Sequence, residues 1–450
     1  MNPYPAYKDS GIAWLGEIPS HWEVNRFRRV ILTKARLGWK GLKASEYVPK
    51  GYGFLSTPNI KGVHLDFDNI NFITEQRFLE SPEIMLQESD ILLAKDGSTL
   101  GIVNVVRDLP FPSTVNSSIA VLRPLNGDLN SVYVMYFLSS HFMQTLIDLK
   151  KDGMGVPHLF QRDINRFPIV LPPLPEQRAI AAYLDRQTQA LDELIADKRR
   201  LIELYQEERA ALINQAVTRG LDPDAPMKDS GIEWLGEIPA HWEVKRLKHI
   251  SPKVSVGLVI NPSTYYDDEG SIPMLTGRNV VPFGFTLRNV RYITEDSSHL
   301  LKKTAVFTED IVVVRVGYPG VAAVISPDLN GANCASMMIV RKSKVLKSRL
   351  LAYYFNSYFG NIQIDRVAYG AAQKQFNISH AIDFQFPVPP KEEQNLLLAY
   401  LDSQTTQLDT QIADTEREIE LLQEYRTALI SEVVTGKVDV RGEISNQAHS

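Results

Sequence analysis

Residues 8–24 read KDSGIAWLGEIPSHWEV and residues 228–244 read KDSGIEWLGEIPAHWEV, a repetition at an offset of 220 broken only at Ala13/Glu233 and Ser20/Ala240. A second repeat follows each copy. LPPLPEQRAIAAYLDRQTQALDELIAD (171–197) returns as VPPKEEQNLLLAYLDSQTTQLDTQIAD (388–414), now at an offset of 217. Periods of about 20–50 residues signal stacked repeats, whereas a period this long signals a duplicated domain. The chain must therefore fold as two copies of one unit, each a globular block followed by a long helix. Two equivalent blocks on one connector suit gripping something at two places.

At 450 residues the chain is large enough for two to four domains with cores of their own. Its lone cysteine, Cys334, excludes an internal disulfide and a zinc site built from cysteines. The start, MNPYPAYKDS, lacks a basic stretch followed by an apolar one. No run of about 18 apolar residues is present, so a cytoplasmic protein without a membrane span is expected. The net charge of −5 is unevenly spread. Residues 25–170 hold 17 Lys/Arg against 14 Asp/Glu, and residues 245–387 hold 17 against 10. Residues 171–220 hold 7 against 8 and residues 388–440 hold 4 against 11. The blocks are mildly basic and the helices acidic, which permits nucleic-acid contact by the former and another role for the latter.

The helical segments carry two apolar positions in every seven. One series runs Leu184, Leu191, Lys198, Tyr205, Leu212 and its companion runs Thr188, Ile195, Ile202, Arg209, Ala216. The second copy gives Leu401, Leu408, Thr415, Leu422, Leu429 with Thr405, Ile412, Ile419, Arg426, Val433. A stripe of this period predicts a coiled coil, and the breaks fall at matching places, Lys198/Thr415 and Arg209/Arg426. Pro172-Pro173 and Pro389-Pro390 stop what precedes each helix. Some 40 residues at about 1.5 Å each give a rod of roughly 60 Å. The stripe needs a partner, and the other copy is the nearest. Connectivity then makes the pair antiparallel and the arrangement a dumbbell with pseudo-two-fold symmetry.

The expected fold is a mixed α/β (α+β) tandem repeat. Two globular domains, 1–170 and 221–387, are separated by two long antiparallel coiled-coil helices, 171–220 and 388–440, with a disordered tail at 441–450. Strands are predicted within 53–60, 90–97, 101–106 and 118–124 of the first block, and within 272–280, 310–317, 321–325 and 336–342 of the second. Helical stretches follow in both blocks, around 131–149 and 347–364. At the 220 offset Asn59 matches Asn279, Asp90 matches Asp310, Gly97 matches Gly317, and Lys95 falls on Arg315, while the intervening loops differ. One scaffold with unlike loops suits two binding sites for two different targets.

Catalytic motifs are lacking. No G-x-x-x-x-G-K-[ST] phosphate loop is present, and Gly97-Ser98-Thr99-Leu100-Gly101 reads as a tight turn able to approach a phosphate backbone. Asn2-Pro3-Tyr4 lacks the second proline of an adenine methyltransferase loop. The nine histidines show no metal-binding spacing. His21 and His241 read as packing residues beside Trp22 and Trp242, which with Trp14 and Trp234 would pin the repeated segment onto its block or meet a protein partner.

Several residues suit DNA. Arg26, Arg28, Arg29, Lys34, Arg36, Lys40, Lys43 and Lys50 face a single acid, Glu46, and the second block opens with Lys245, Arg246, Lys248 and Lys253. Such side chains neutralise phosphates without reading sequence. Base reading needs Arg or Lys for guanine and Asn or Gln for adenine. The candidates are Asn59, Lys61, Lys95, Ser98, Asn116 and Ser117 in the first block. In the second they are Arg278, Asn279, Arg315, Tyr318, Asn333, Gln373, Lys374 and Gln375.

The tandem KDSGIxWLGEIPxHWEV segments, the block endings FPIVLPPLPEQRAI and FQFPVPPKEEQNLL, and the paired helices together resemble the specificity subunits of type I restriction-modification systems, along essentially the whole chain. The resemblance implies two target recognition domains, each reading half of a split, asymmetric double-stranded DNA site. It implies that the helices set the spacing and dock two methyltransferase subunits, with restriction subunits joining the full complex. It implies no catalysis and no cofactor in this chain: S-adenosylmethionine, ATP and magnesium would belong to the partners. Residues 151–166 and 369–383 correspond to the glycine-containing loop that closes a recognition domain, which adds His158 and Gln161 to the DNA-binding candidates. Two rival readings are an enzyme with two active sites of its own and a coiled-coil scaffold that binds protein without DNA.

Overall fold

In each copy the repeated segment folds as a two-stranded antiparallel ribbon, Tyr7–Asp9 against Glu17–Pro19 and Met227–Asp229 against Glu237–Pro239. The ribbon leads into a strand that pairs with the end of its own block. Glu23–Arg26 lies antiparallel to Pro168–Leu171, and Glu243–Arg246 to Gln385–Val388. Those partner strands run directly into Pro172-Pro173 and Pro389-Pro390, so the repeated segment sits where each long helix begins. The computed structural model describes residues 3–12, 14–35, 42–151, 157–370 and 374–445. It forms two compact units, one of Met1–Lys198 with Arg417–Ser450 and one of Arg199–Glu416.

Within the first unit, Trp22 is fully buried and donates its indole N–H to Glu176 Oε1 at 3.1 Å, while His21 Nε2 lies 2.9 Å from Glu176 Oε2. Within the second, Trp242 Nε1 and His241 Nε2 meet Glu393 Oε2 at 2.9 and 2.8 Å. The glutamate of each Pro-Pro-x-x-Glu-Gln motif thus receives a buried indole donor and an imidazole, at a helix N-terminus that itself favours negative charge. The neighbouring glutamine completes the joint. Gln177 Nε2 donates to the Pro172 carbonyl at 2.9 Å and its Oε1 accepts from the Asn130 amide at 2.8 Å. Gln394 repeats this with Pro389 at 2.9 Å and Lys347 at 3.0 Å.

Each block is built on a four-stranded antiparallel sheet. In the first unit Ile31–Lys34, Ile119–Pro124, Ile91–Ala94 and Val103–Val105 lie side by side. In the second the order is Val254–Val256, Met337–Val340, Ile311–Val314 and Ala322–Val324. The runs ILLA and IVVV are wholly apolar because both faces are covered. Ile91 and Leu93 join the core under the helices, whereas Leu92 and Ala94 join a second core under a three-stranded sheet. Ile311 and Val313 divide from Val312 and Val314 in the same way. The three-stranded sheets are Asn71–Ile73, Tyr52–Leu55, Ser113–Val115 and Arg291–Ile293, Ile272–Leu275, Asn333–Cys334, each with one parallel pair.

The helical stretch predicted at 131–149 is two helices, Ser131–Ser139 and His141–Lys150, and that at 347–364 is Ser348–Asn356 and Tyr358–Val367. A serine separates them each time. Ser140 Oγ donates to the Phe137 carbonyl at 2.6 Å and caps the next helix through the Met143 amide. Ser357 does the same with Tyr354 at 2.7 Å and Gly360 at 3.1 Å. A side chain that satisfies backbone groups on both sides of a break removes the reason to continue the helix.

The long helices are Leu174–Arg219 and Lys391–Val434. Within the first unit Asp192 pairs with Arg426 at 3.1 Å and Lys198 with Glu418, so the two segments run in opposite directions. Within the second, Asp409 pairs with Arg209 at 3.2 Å, the repeat-related contact. The breaks in the apolar stripe at Lys198, Arg209 and Arg426 are thus filled by ion pairs. Of the stripe residues, Leu184, Ile195, Leu401, Leu408 and Leu429 are buried and Leu191, Ile202, Tyr205, Leu212, Ile412, Ile419 and Leu422 half-buried. Leu184 and Leu429 belong to the core of the first block and Leu401 to that of the second, so the ends of the stripe serve the blocks as well.

The segment expected to be a disordered tail opens instead with a short helix, Arg441–Ser445. Arg441 grips Asp439 through two contacts of 2.6 and 2.9 Å and stacks over Tyr4, with 4.9 Å to the ring centroid. The remaining tail residues, 446–450, lie outside the described residues.

Candidate nucleic-acid interface

The central strand of each block ends in a glycine turn locked to the loop that precedes the last short helix. In the first unit Ile91–Ala94 leads to Gly97, whose φ of +74° places it in the left-handed region that glycine occupies without strain. The Gly97 amide donates to the Pro157 carbonyl at 2.9 Å, Leu159 to Lys95 at 2.8 Å, and Lys95 to Ser118 at 2.8 Å. Residues 95–99, 116–118 and 157–161 therefore form one surface. In the second unit Ile311–Val314 leads to Gly317, with φ +95°. Its amide donates to Lys374 at 3.0 Å, and Phe376 donates to Arg315 at 3.3 Å. These are the same bonds, displaced by the repeat.

The side chains on the two frames differ. Lys95 pairs with Asp96 at 3.0 Å, and His158 Nδ1 contacts the other oxygen of the same carboxylate. Ser98 and Ser117 are exposed, and Asn116 Oδ1 accepts from the Ser118 amide at 3.1 Å. Gln161 donates to the Thr33 carbonyl at 2.6 Å, and Lys34 is half-buried at the end of its strand. Lys43 and Lys61 are exposed. In the second unit Arg315 is half-buried, and its Nε has no hydrogen-bond partner among the described residues. Tyr318 is 83% exposed. Lys374 is exposed and 3.1 Å from Asp365, Gln375 exchanges backbone bonds of 2.9 Å with Tyr369, and Arg278 and Lys253 are exposed.

Three candidates are corrected. Asn59 is 4% exposed and has every polar group occupied: its Oδ1 accepts from the Ser56 amide and hydroxyl at 2.9 and 2.8 Å, and its Nδ2 donates to the Asp66 and Asn69 carbonyls. Asn279 repeats the clamp with Thr276 and Thr286. Asn333 is fully buried, donating to Leu301 and Thr304 and accepting from Ser298. A base could reach these amides only at the expense of the loops they hold. Arg36, Lys40 and Gln373 lie outside the described residues.

Other polar residues support the surface without forming part of it. Arg123 makes a bidentate pair with the buried Asp90 at 2.6 and 2.7 Å, and Arg341 pairs with Asp310 in the second copy. The Tyr136 hydroxyl meets Asp185 at 2.8 Å and Thr188 at 2.9 Å, joining the block to the first long helix; burial pushes its phenol pKa well above the ordinary value. The Asp185 carboxylate also takes a bidentate contact from Arg107, which raises the pKa of that guanidinium. Tyr369 in the second unit and Phe160 in the first, on whose ring His158 packs at 4.5 Å, also belong to the loop surfaces. Both were legible as aromatics within or beside the glycine-containing loops.

The family described as the type I restriction modification DNA specificity domain matches residues 43–204. The chain is 24% identical over 433 residues to the type I restriction enzyme MjaVIII specificity subunit of Methanocaldococcus jannaschii, covering 94% of both chains. A chain solved in work on complex assembly and conformational transition of the type I R-M system superposes with a TM-score of 0.72 at 18% identity, covering 94% of this chain and 99% of that one. The HsdS subunit from Thermoanaerobacter tengcongensis superposes with a TM-score of 0.54 at 16% identity, covering 94% and 98%.

Proposed function

The chain belongs to the family of DNA specificity subunits of type I restriction-modification systems, and on that premise we propose how it divides the reading of its target. Its function is DNA sequence specificity. Each unit reads one half of a bipartite, asymmetric site. The observation that carries this reading is the pair of matching backbone frames with unlike tips: Lys95, Asp96 and Ser98 in one stand where Arg315, Val316 and Tyr318 stand in the other. A common frame presents the loops to the same groove, and different side chains select different bases.

Exposed Lys43, Lys61, Lys253 and Arg278 neutralise phosphates, and the loop surfaces approach base edges. The paired helices fix the separation of the half-sites at about one turn of DNA, with the intervening base pairs unread. Their outward residues, among them Leu194, Leu204, Leu396 and Tyr425, which are 42%, 45%, 64% and 50% exposed, dock two methyltransferase subunits. The chain does no chemistry of its own. S-adenosylmethionine would serve the methyltransferase subunits, ATP and magnesium the restriction subunits, and the assembly would act on DNA in the cytoplasm. Among the described residues no helix is long and apolar enough to cross a membrane.

The test is a map of methylated positions in a genome expressing this chain with its methyltransferase subunits. A single split motif with two different halves is expected. Binding to duplex DNA should weaken steeply with salt, as counterion release requires. Salt-insensitive association with protein and none with DNA would favour the scaffold reading instead.

A further inference from the structure

The two tips differ in more than sequence. In the first unit the basic residue is neutralised on the frame itself, since Lys95 and His158 share Asp96, and the exposed side chain of the turn is the small Ser98. In the second unit position 316 is valine, so Arg315 has no carboxylate beside it on the turn. Beyond it stands Tyr318, 83% exposed, followed by Pro319. The turn is held at both ends. Gly317 has φ +95° and is bound to Lys374; Gly320 has φ +108°, is bound to the Val314 carbonyl at 2.8 Å, and would bring a Cβ within 2.7 Å of Ile364. A ring that projects into water from so constrained a turn loses little freedom when it meets a ligand. The same backbone frame carries Lys374 and Tyr369, which is 45% exposed, and the turn bearing Arg278 approaches it, a Cβ on Gly277 coming within 3.9 Å of the Val316 carbonyl. Aromatic and basic side chains carried on one fixed frame are the chemistry that recognises stacked bases between phosphates.

We infer that the second unit reads its half-site with an aromatic wedge: the Tyr318 ring packs against one base step and partly unstacks it, and Arg315 donates to the guanine edge beside that step. At the matching position the first unit carries Ser98, so that turn meets its half-site without an aromatic ring. The inference rests on the DNA-specificity reading. A bidentate guanidinium reads guanine O6 and N7, and apolar or aromatic insertion makes deformable steps cheaper to bind than stiff ones, so the two residues together specify a short segment of one half-site only.

The test uses the complex of the full chain with its methyltransferase subunits and the split site that the wild-type complex methylates. Duplexes altered at each base pair in turn are ranked by competition. Arg315→Ala should lower discrimination at one base pair of one half-site by about ten-fold to a hundred-fold. Tyr318→Ser, which installs the residue of the first unit, should weaken binding by about ten-fold and flatten preference in that same half-site, while Tyr318→Phe should behave as wild type. With 2-aminopurine stepped through that half-site, fluorescence should rise at one position for wild type and Tyr318→Phe and stay low for Tyr318→Ser. Unchanged discrimination in both variants, or a loss spread equally over both halves, would overturn the wedge and leave the specificity function standing. A wild-type complex with no split site would overturn that function and the wedge with it.

Discussion

Trp22 donates to Glu176 at 3.1 Å across 154 residues of sequence, and Glu176 stands in the first turn of the first long helix. The bond fastens the repeated ribbon to the point where the helix leaves the block. Gly436 closes the same joint from the other long helix: with φ +74° it turns the chain after Val434, and a Cβ there would strike Pro19 at 2.3 Å and Trp22 at 3.0 Å. Gly220 occupies the equivalent place beside Trp242.

Replacing Glu176 by Ala strands the Trp22 indole N–H inside the core, and an unmatched buried donor costs about 1–3 kcal/mol. The unfolding midpoint of the first unit should fall accordingly in denaturant, with a smaller fall for Glu176→Gln, which keeps an acceptor. Equal midpoints for Ala and wild type would refute the joint.

Asp192 and Arg426 form a half-exposed pair on the helix seam, so solvent screens their attraction. Arg426→Asp sets two carboxylates against each other and should destabilise by about 1 kcal/mol. The reciprocal swap, Asp192→Arg with Arg426→Asp, should recover most of that loss in thermal melts. An additive double variant would show that the two side chains do not interact.

Adding one turn to both long helices should lengthen the unread spacer of the methylated motif and leave both half-site sequences as they were. Site mapping on the extended chain decides this, and an unchanged spacer would remove the helices from any part in setting it.

Burial pushes the Cys334 thiol up to about 12, with Asp310 adding to the rise and Arg341 opposing it. The thiolate is therefore scarce at neutral pH, and the residue lies out of reach of solvent. A thiol reagent at pH 7.5 should react with the native chain only as fast as the second unit opens, and at once in denaturant. Rapid labelling of the folded protein would contradict the packing around Asn333–Cys334.

The duplication and the seven-residue stripe were legible because both are periodicities, and periodicity survives without coordinates. The ion pairs that fill the stripe were not, since Arg426 and Asp192 lie 234 residues apart and only antiparallel pairing joins them. Asn59 and Asn279 were misread for a different reason. Polar residues in loops suggest surface, and the carbonyls of Asp66 and Thr286 that bury them become visible only when the loops close. One signal did point the right way. The two asparagines coincide at the repeat offset, as residues of a shared scaffold do, whereas the exposed Ser98 and Tyr318 differ. The double serine caps at Ser140 and Ser357 were likewise present in both copies, hidden within stretches of otherwise unbroken helical character.

The bond from Gly97 to Pro157 and its counterpart from Gly317 to Lys374 involve main-chain atoms alone. Nothing in that scaffolding depends on which residue occupies position 98 or 318. Outward groups on this frame can then be exchanged with the main-chain bonds that hold it left intact. If the tips read DNA as proposed, a lineage keeps one machine and changes its target one tip at a time.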